Sequence, residues 1–377
     1  MKELLVSWRN AISGALYRRV LKPFYFRRDP EDVHDMMTKA GAFLGRHAVT
    51  RALTYAAFGY SNPHLASTVD GISYRNPIGL AAGFDKDALL TDILPSVGFG
   101  FTEAGSVTGE PCAGNPRPRL WRLPESQSLV VWYGLKNRGC EEIAGRMKEK
   151  KFKFPVGFSA AKTNCAETVD AERGIADYAK AFAALAPLGS YMTVNISCPN
   201  AFGGQPFTDV GLLERLLTRL DGIPCDRPIY LKLSPDVTDQ ELAEIVATAR
   251  RHRVHGFICS NLTKKRDNPN IKAGDTVPDR GGMSGKVSEP LADAQLRRVR
   301  ELTGGKMTVI GCGGVFTAED AYRKIRAGAS LIQLITGMIF RGPQAVSEIN
   351  QGLARLLKRD GFKSVSEAVG VDSAELG

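Results

Sequence analysis

The chain reads as an α/β protein, a closed (β/α)8 barrel behind an N-terminal helical extension, on three observations. Short apolar segments alternate with helical stretches from about residue 64 onward, eight such segments can be counted, and the residues that end them are polar. Eight strand-then-helix units in one domain predict a TIM barrel, because each parallel strand needs a long crossover before the next can pair. A doubly wound sheet is the alternative, but the G-x-G-x-x-G expected after its first strand is missing. At 377 residues and 43% hydrophobic content the chain can bury a core of that size.

The first 28 residues hold Lys2, Arg9, Arg18, Arg19, Lys22, Arg27 and Arg28 against Glu3, a net +6 of the chain's +10. Leu4, Trp8, Ile12, Leu16 and Val20 recur there at four-residue steps, which predicts an amphipathic helix with basic flanks. Arg9 and Arg18 interrupt the about 20 apolar residues that a membrane span requires, and no small-residue cleavage site marks a signal peptide. Two readings remain, a helix packed on its own domain and a helix lying on a membrane surface, and the basic flanks favour the second. Nucleic acid is not an expected partner, since no recognition module accompanies the basic residues. Residues 1–63 are therefore assigned to a membrane-associating extension and 64–377 to the barrel.

Residues 64–69 and 72–75 around Asp70-Gly71 predict a hairpin with a tight turn. The eight barrel strands are expected at 77–82, 101–107, 155–160, 191–196, 228–233, 256–261, 307–311 and 331–336, with helices such as 239–252 and 319–327 between them.

A TIM barrel gathers the C-terminal ends of its strands at one mouth. There this sequence has Ala82, Gly83 and Lys86, then Ser106, Ser159 with Lys162, Asn195 with Cys198, Lys232, Ser260 with Asn261, Gly313 with Gly314, and Thr336 with Gly337. Cys198 stands between two carboxamides, Asn195 and Asn200. A lone Cys is more often a buried core residue, but a thiol of ordinary pKa about 8.5 can take a proton, and the carboxamides can pair with a planar, amide-rich ligand. Gly313, Gly314, Thr336 and Gly337 follow strands seven and eight, where such barrels hold phosphate. Lys232 is either the partner of a carboxylate or a cation beside a cofactor that turns anionic on reduction, as flavin mononucleotide (FMN) does. The seven Cys lack a C-x-x-C pair and give no disulfide framework or zinc pattern, which suits a reducing compartment. His252 and His255 are read as surface residues, not metal ligands.

Six motifs carry a family resemblance: Asn76-Pro-Ile-Gly-Leu-Ala-Ala-Gly-Phe-Asp-Lys86, Arg117-Pro-Arg-Leu-Trp-Arg-Leu123, Asn195-Ile-Ser-Cys-Pro-Asn200, Gly281-Gly-Met-Ser-Gly285, Ile310-Gly-Cys-Gly-Gly314 and Gly337-Met-Ile-Phe-Arg-Gly-Pro343. Together they resemble the dihydroorotate dehydrogenases, over roughly residues 22–350. Asp29-Pro-Glu-Asp-Val-His34 is similar to the membrane-associated, quinone-reducing class. The resemblance implies an FMN-containing barrel whose extension admits quinone, on the cytoplasmic face of a membrane or on the inner mitochondrial membrane in a eukaryote. It implies FMN contacts at Ala82, Gly83, Lys86, Ser106, Asn195, Lys232, Ser260, Gly285, Gly314, Thr336 and Gly337. Substrate contacts would fall to Lys86, Asn195, Asn200 and Asn261, with no metal. Dihydroorotate would lose its C5 proton to a base, the position of Cys198, and a hydride from C6 to the flavin. The loop Ala201-Phe-Gly-Gly-Gln-Pro-Phe207 suits a lid over that step.

Three residues depart from the family pattern. Cys198 replaces the Ser usual in the quinone-reducing class, Val131 in Val131-Trp-Tyr-Gly-Leu135 replaces an Asn that binds the pyrimidine, and Ser159 replaces an Asn beside the flavin. Losing a buried amide partner costs about 1–3 kcal/mol, so the ring must find another donor, through Lys136 or Asn137, or bind more weakly. The alternatives are thus an FMN oxidoreductase acting on another ring, and a non-catalytic flavin-binding membrane protein.

Overall fold

The computed structural model describes residues 2–376, with side chains described for 3–373. Strands β1 (Ser67–Val69) and β2 (Ile72–Tyr74) form the predicted antiparallel hairpin across the Asp70-Gly71 turn. The remaining strands are β3 (Ile78–Leu80), β4 (Phe101–Val107), β5 (Leu120–Leu123), β6 (Ser128–Val131), β7 (Val156–Ala160), β8 (Tyr191–Asn195), β9 (Ile229–Lys232), β10 (Gly256–Cys259), β11 (Gly282–Gly285), β12 (Thr308–Cys312) and β13 (Leu331–Leu334). Eight of them close a parallel barrel in the order β10-β12-β13-β3-β4-β7-β8-β9, and these eight are the strands expected from the sequence. The helices Asp239–Ala249 and Ala318–Arg326 lie where two crossovers were expected. A second, antiparallel sheet of β11, β6 and β5 was not expected; it comprises motif residues 120–123 and 282–285 and ends at Val131.

The barrel is filled, not hollow. At its base Tyr74, Phe101, Tyr191 and Tyr230 pack with Ile258, Ile310 and Leu331, and the Tyr230 hydroxyl donates to Asp70 Oδ2 at 2.7 Å. Gly157 makes room for this plug, since a Cβ there would collide with the Tyr191 ring. The hairpin therefore seals one end, which leaves chemistry to the other.

Four helices precede the barrel: α1 (Lys2–Leu16), continued by a π-helical turn at Tyr17–Leu21, α2 (Lys22–Phe26), α3 (Pro30–Arg46) and α4 (Ala48–Phe58). Asp29 caps α3, its carboxylate accepting from the amides of Glu31 and Asp32 at 2.9 and 3.1 Å, with Pro30 in the first turn. α1 docks on the C-terminal helix Ala345–Arg359 through polar groups: Ser7 Oγ donates to Gln351 Oε1 at 3.0 Å, while Arg9 and Asn10 donate to Ser347 Oγ at 2.8 and 3.1 Å. The apolar stripe faces away, with Leu4, Trp8, Ile12, Leu16 and Val20 each 53–69% exposed. The helix is thus inverted relative to an ordinary surface helix, and its stripe does not pack on its own domain. Among the described residues no helix is long and apolar enough to cross a membrane.

One surface assignment is corrected. His252 is not a free surface residue: its Nδ1 lies 2.7 Å from Asp221 Oδ2 and its Nε2 3.1 Å from Glu214 Oε1, with the side chain 7% exposed. Two carboxylates from the helix Val210–Asp221 enclose it.

Candidate active site

The polar strand ends surround two adjoining cavities. The larger, about 940 Å³, is lined by Ala82, Gly83, Lys86, Ser106, Asn195, Cys198, Asn200, Lys232, Asn261 and Thr336. The smaller, about 500 Å³, is lined by Ser260, Gly285, Gly314 and Gly337 and shares Ala82, Lys232, Asn261 and Thr336 with the first. The FMN and substrate contacts that the resemblance implies therefore all reach one of the two, whereas Ser159, Lys162 and Asn137 line neither.

Cys198 follows β8, where the strand gives way to a loop. Burial pushes its thiol up to about 11, against a backbone hydrogen bond from Asn200 and the charges of Lys162 and Lys264, which pull the other way. The resting group is a thiol. Its neighbouring carboxamides are unequally free. Asn195 donates to Ser106 Oγ at 2.8 Å and accepts from Ser197 Oγ at 3.0 Å. Asn261 donates to Ser197 Oγ at 3.0 Å and accepts from the Leu262 amide at 2.9 Å. Asn200 donates to the Val131 carbonyl at 2.8 Å, but its Oδ1 is buried without a partner. A buried acceptor left open at a cavity wall marks where a ligand N–H belongs.

Lys86 supplies the cation on the opposite wall, 4.0 Å from the Tyr133 ring centroid. Burial, aided by Lys136, lowers it to about 8. His34 of α3 reaches the same cavity and lies 2.8 Å from the Phe84 carbonyl. Burial and then Lys86 lower it to about 4, so it is neutral and does not compete for an anion. His34 and Tyr133 were not foreseen as wall residues: the resemblance tied position 131 to the ligand, but nothing in the local spacing singles out Tyr133 or links α3 to the barrel mouth.

Two of the three departures have visible neighbours. Ser159 Oγ sits 2.7 Å from Ser106 Oγ, extending the Asn195–Ser106 line across the floor. Val131 offers the cavity an apolar side chain and spends its carbonyl on Asn200. Asn137 cannot replace the missing carboxamide: it donates to Thr108 Oγ1 and to the Leu135 carbonyl, both at 2.8 Å, and accepts from the Gly139 amide at 2.8 Å. Lys136 does line the cavity, and also pairs with Glu31 at 3.2 Å.

Glu31 fixes the extension against this site. It accepts from Arg119 Nε and Nη2 at 2.9 and 2.8 Å, and also meets Arg117 at 3.1 Å. Burial alone would raise its carboxyl, but Arg119 and Lys136 hold it down at about 2. A third cavity of about 780 Å³ lies between the extension and the barrel, lined by Tyr17, Val33, Met37, Met338 and Arg122 among others. It shares His34, Phe84, Leu120, Leu129 and Ile339 with the large cavity.

The loop after Cys198 is held by polar contacts to its backbone. Asn164 Oδ1 accepts from the Phe202 amide at 2.6 Å and Lys162 Nζ donates to the Phe202 carbonyl at 2.8 Å. Asn164 also donates to Asn115 Oδ1 and the Gly134 carbonyl, and Asn115 donates to the Asn200 carbonyl. The Phe202 side chain itself is 56% exposed, so apolar packing does not hold the tip. Asn164→Ala is expected to speed hydrogen exchange at the Phe202 amide and to lower kcat/KM about tenfold, the size of about one lost hydrogen bond. Unchanged protection would show that other contacts close the loop.

Comparisons with known proteins give this geometry its context. A sequence profile described as dihydroorotate dehydrogenase matches residues 64–357. A dihydroorotate dehydrogenase (quinone) from a Roseiflexus species is 41% identical over 357 residues, covering 93% of this chain and 97% of that one. The chain belongs to the dihydroorotate dehydrogenase family. The family member from Haloarcula marismortui, also named dihydroorotate dehydrogenase (quinone), is 38% identical over 355 residues, 94% of this chain and 98% of its own. Among solved structures, a dihydroorotate dehydrogenase of Eimeria tenella, in complex with ferulenol, superposes with a TM-score of 0.79 at 25% identity, covering 92% of this chain and 96% of that one. The family match therefore extends through the barrel, and the relatives' coverage of 93–94% of the chain reaches into residues 1–63.

Proposed function

We propose that this protein oxidises dihydroorotate to orotate in pyrimidine biosynthesis, using bound FMN and passing the electrons to quinone. The observation that carries the reading is Lys232 at the junction of the two mouth cavities, buried to 4% exposure, with no hydrogen-bond acceptor among the described residues and Glu103 Oε1 at 3.7 Å. Such a cation favours a ligand that carries negative charge. The smaller cavity fits the phosphate of FMN. Gly313 and Gly314 line it with φ of +115° and +71°, which favour glycine, and a Cβ at Gly314 would collide with Glu289. Ser260, Ser284 and Thr336 add hydroxyls, and Ser284 and Thr336 already pair at 2.8 Å.

FMN, when bound, supplies the hydride acceptor and the electron path. The chain's own residues do the rest. Lys86 would hold the substrate carboxylate, Asn200 Oδ1 would accept a ring N–H, and Asn195 and Asn261 would order the floor. Cys198 would take the C5 proton. The loop held at Phe202 would exclude water meanwhile. In this reading residues 1–63 form the membrane-facing extension and 64–377 the catalytic barrel. The third cavity would lead quinone to the flavin, and the outward stripe of α1 would lie in the membrane surface with the basic residues at anionic headgroups. Deleting residues 1–28 is expected to release the protein from anionic vesicles and slow its reaction with long-tailed quinone while sparing the substrate half-reaction; a truncated protein that still sediments with vesicles would remove this segment as the anchor.

Val131 favours a second reading, a less polar ring, since it faces the cavity where the family has an amide and Asn137 is turned elsewhere. One optical experiment separates the readings. Yellow protein bleached anaerobically by dihydroorotate supports the first. Yellow protein left unbleached supports another ring or a non-catalytic flavin protein. Colourless protein after reconstitution with FMN rejects all three.

A further inference from the structure

Glu103 is a charged residue in the middle of β4, inside the barrel and 0% exposed. Burying a carboxylate is expensive unless it is paired and hydrogen-bonded, and here the two halves of the group do different things. Oε2 accepts from Gln333 Nε2 at 2.8 Å and from Thr193 Oγ1 at 3.1 Å. Oε1 has no hydrogen bond and faces Lys232 Nζ at 3.7 Å. That separation is too long for a strong hydrogen bond but short for two charges in a low-dielectric interior. The strands β8 and β13 therefore anchor one oxygen while the other acts on the lysine purely through its field. Lys232 in turn is the cation that both mouth cavities share.

We propose that Glu103 is a positioning residue that sets the redox bias of the flavin by partly cancelling the charge of Lys232; this rests on the FMN reading above. An uncompensated Lys232 would favour the anionic, reduced cofactor strongly, which helps the substrate half-reaction and hinders electron release to the acceptor. Glu103 tempers that preference without touching the cavity. The ion pair thus balances the two half-reactions, and the anchoring of Oε2 keeps the carboxylate from closing onto Lys232 and withdrawing it from the cofactor.

Two substitutions move the charge in opposite directions. Glu103→Gln keeps the volume and lets one carbonyl accept from both Gln333 and Thr193, but removes the negative charge. The flavin midpoint potential should become more positive, and sulfite, whose adduct leaves negative charge on the flavin ring, should bind about tenfold tighter. Reoxidation by quinone should slow while reduction by dihydroorotate does not. Thr193→Val removes one donor from Oε2 at nearly constant shape and concentrates negative charge toward Lys232, so the potential should fall and sulfite should bind more weakly. A merely structural role would lower the melting temperature in both variants without opposite shifts. Flavin-loaded variants whose potential and sulfite affinity match the wild type would overturn the proposal alone. If Glu103→Gln does not fold, Thr193→Val decides: the predicted fall supports the proposal, and an unchanged potential rejects it. Wild-type protein that takes up no flavin would overturn the FMN reading and this proposal together.

Discussion

Cys198→Ala is expected to leave FMN bound and to slow flavin reduction by dihydroorotate by about 10²–10⁴, the contribution of a positioned base. The structure adds a pH signature. Burial holds the thiol at about 11, so the reactive thiolate is scarce at neutrality and the rate of flavin reduction should rise about tenfold per pH unit through neutral pH. Lys86, lowered to about 8, loses its charge over the upper part of that range, so KM for the anionic substrate should climb above about pH 8 even as the saturated rate still increases. Rapid-mixing measurements of flavin bleaching across pH separate the two trends. Bleaching at near wild-type speed in the variant, or a flat profile in the wild type, would take Cys198 out of the mechanism.

Glu31→Gln should be the most damaging single change outside the cavities. Arg119 is buried against Glu31, and removing the carboxylate leaves its guanidinium without a counter-charge, which in comparable buried clusters costs about 3–5 kcal/mol. The loss should fall on the joint between α3 and the 113–136 segment. Protease sensitivity in the helical extension should therefore rise before the barrel yields, and quinone reduction should suffer more than substrate-driven bleaching. The pH dependence has a definite sign. The folded carboxyl sits at about 2 against about 4.3 for an unpaired glutamate, so its stabilising contribution is complete above that upper value and disappears as pH falls toward 2. Denaturant titrations between those limits should show a steeper loss in the wild type than in Glu31→Gln; equal slopes and equal stability would mean that the cluster is not what holds the extension.

The eight barrel strands were legible because each is a short apolar run closed by polar residues, a pattern that buried parallel strands impose. The antiparallel sheet was not. β11 is Gly-Met-Ser-Gly, with no strand propensity of its own, and it is ordered by pairing with β6. The cavity-lining residues could be named from the order of motifs along the chain, but not their commitments: Asn200 keeps one free oxygen whereas Asn261 is bonded at both ends of its amide. Asn137 illustrates the limit. It is two residues from Leu135 and so looked available to the ring, yet the chain turns it toward Thr108. Glu103 was readable as a lone charge in an apolar strand, but its meaning depends on Lys232, which lies three barrel strands further along and meets it only inside the closed barrel. The contacts at Phe202 come from a separate loop for the same reason.

The inverted docking of α1 also sets an order of events during synthesis. Its polar face is satisfied by Ser347 and Gln351, from the opposite end of the chain, while β3 cannot complete the barrel until β13 has been made. Arg9 donates to the Ala56 and Gly59 carbonyls and Tyr60 to Glu3, but the contacts of α1 with the helix Ala345–Arg359 wait until that helix exists, and neither set covers the apolar stripe, which stays open to a lipid surface or a chaperone. The part of this attachment made through Ser347 and Gln351 is consequently a late event that depends on the integrity of the barrel. A nascent chain stalled before residue 345 would carry the stripe on a helix held only near residues 56–60, prone to clustering with others of its kind.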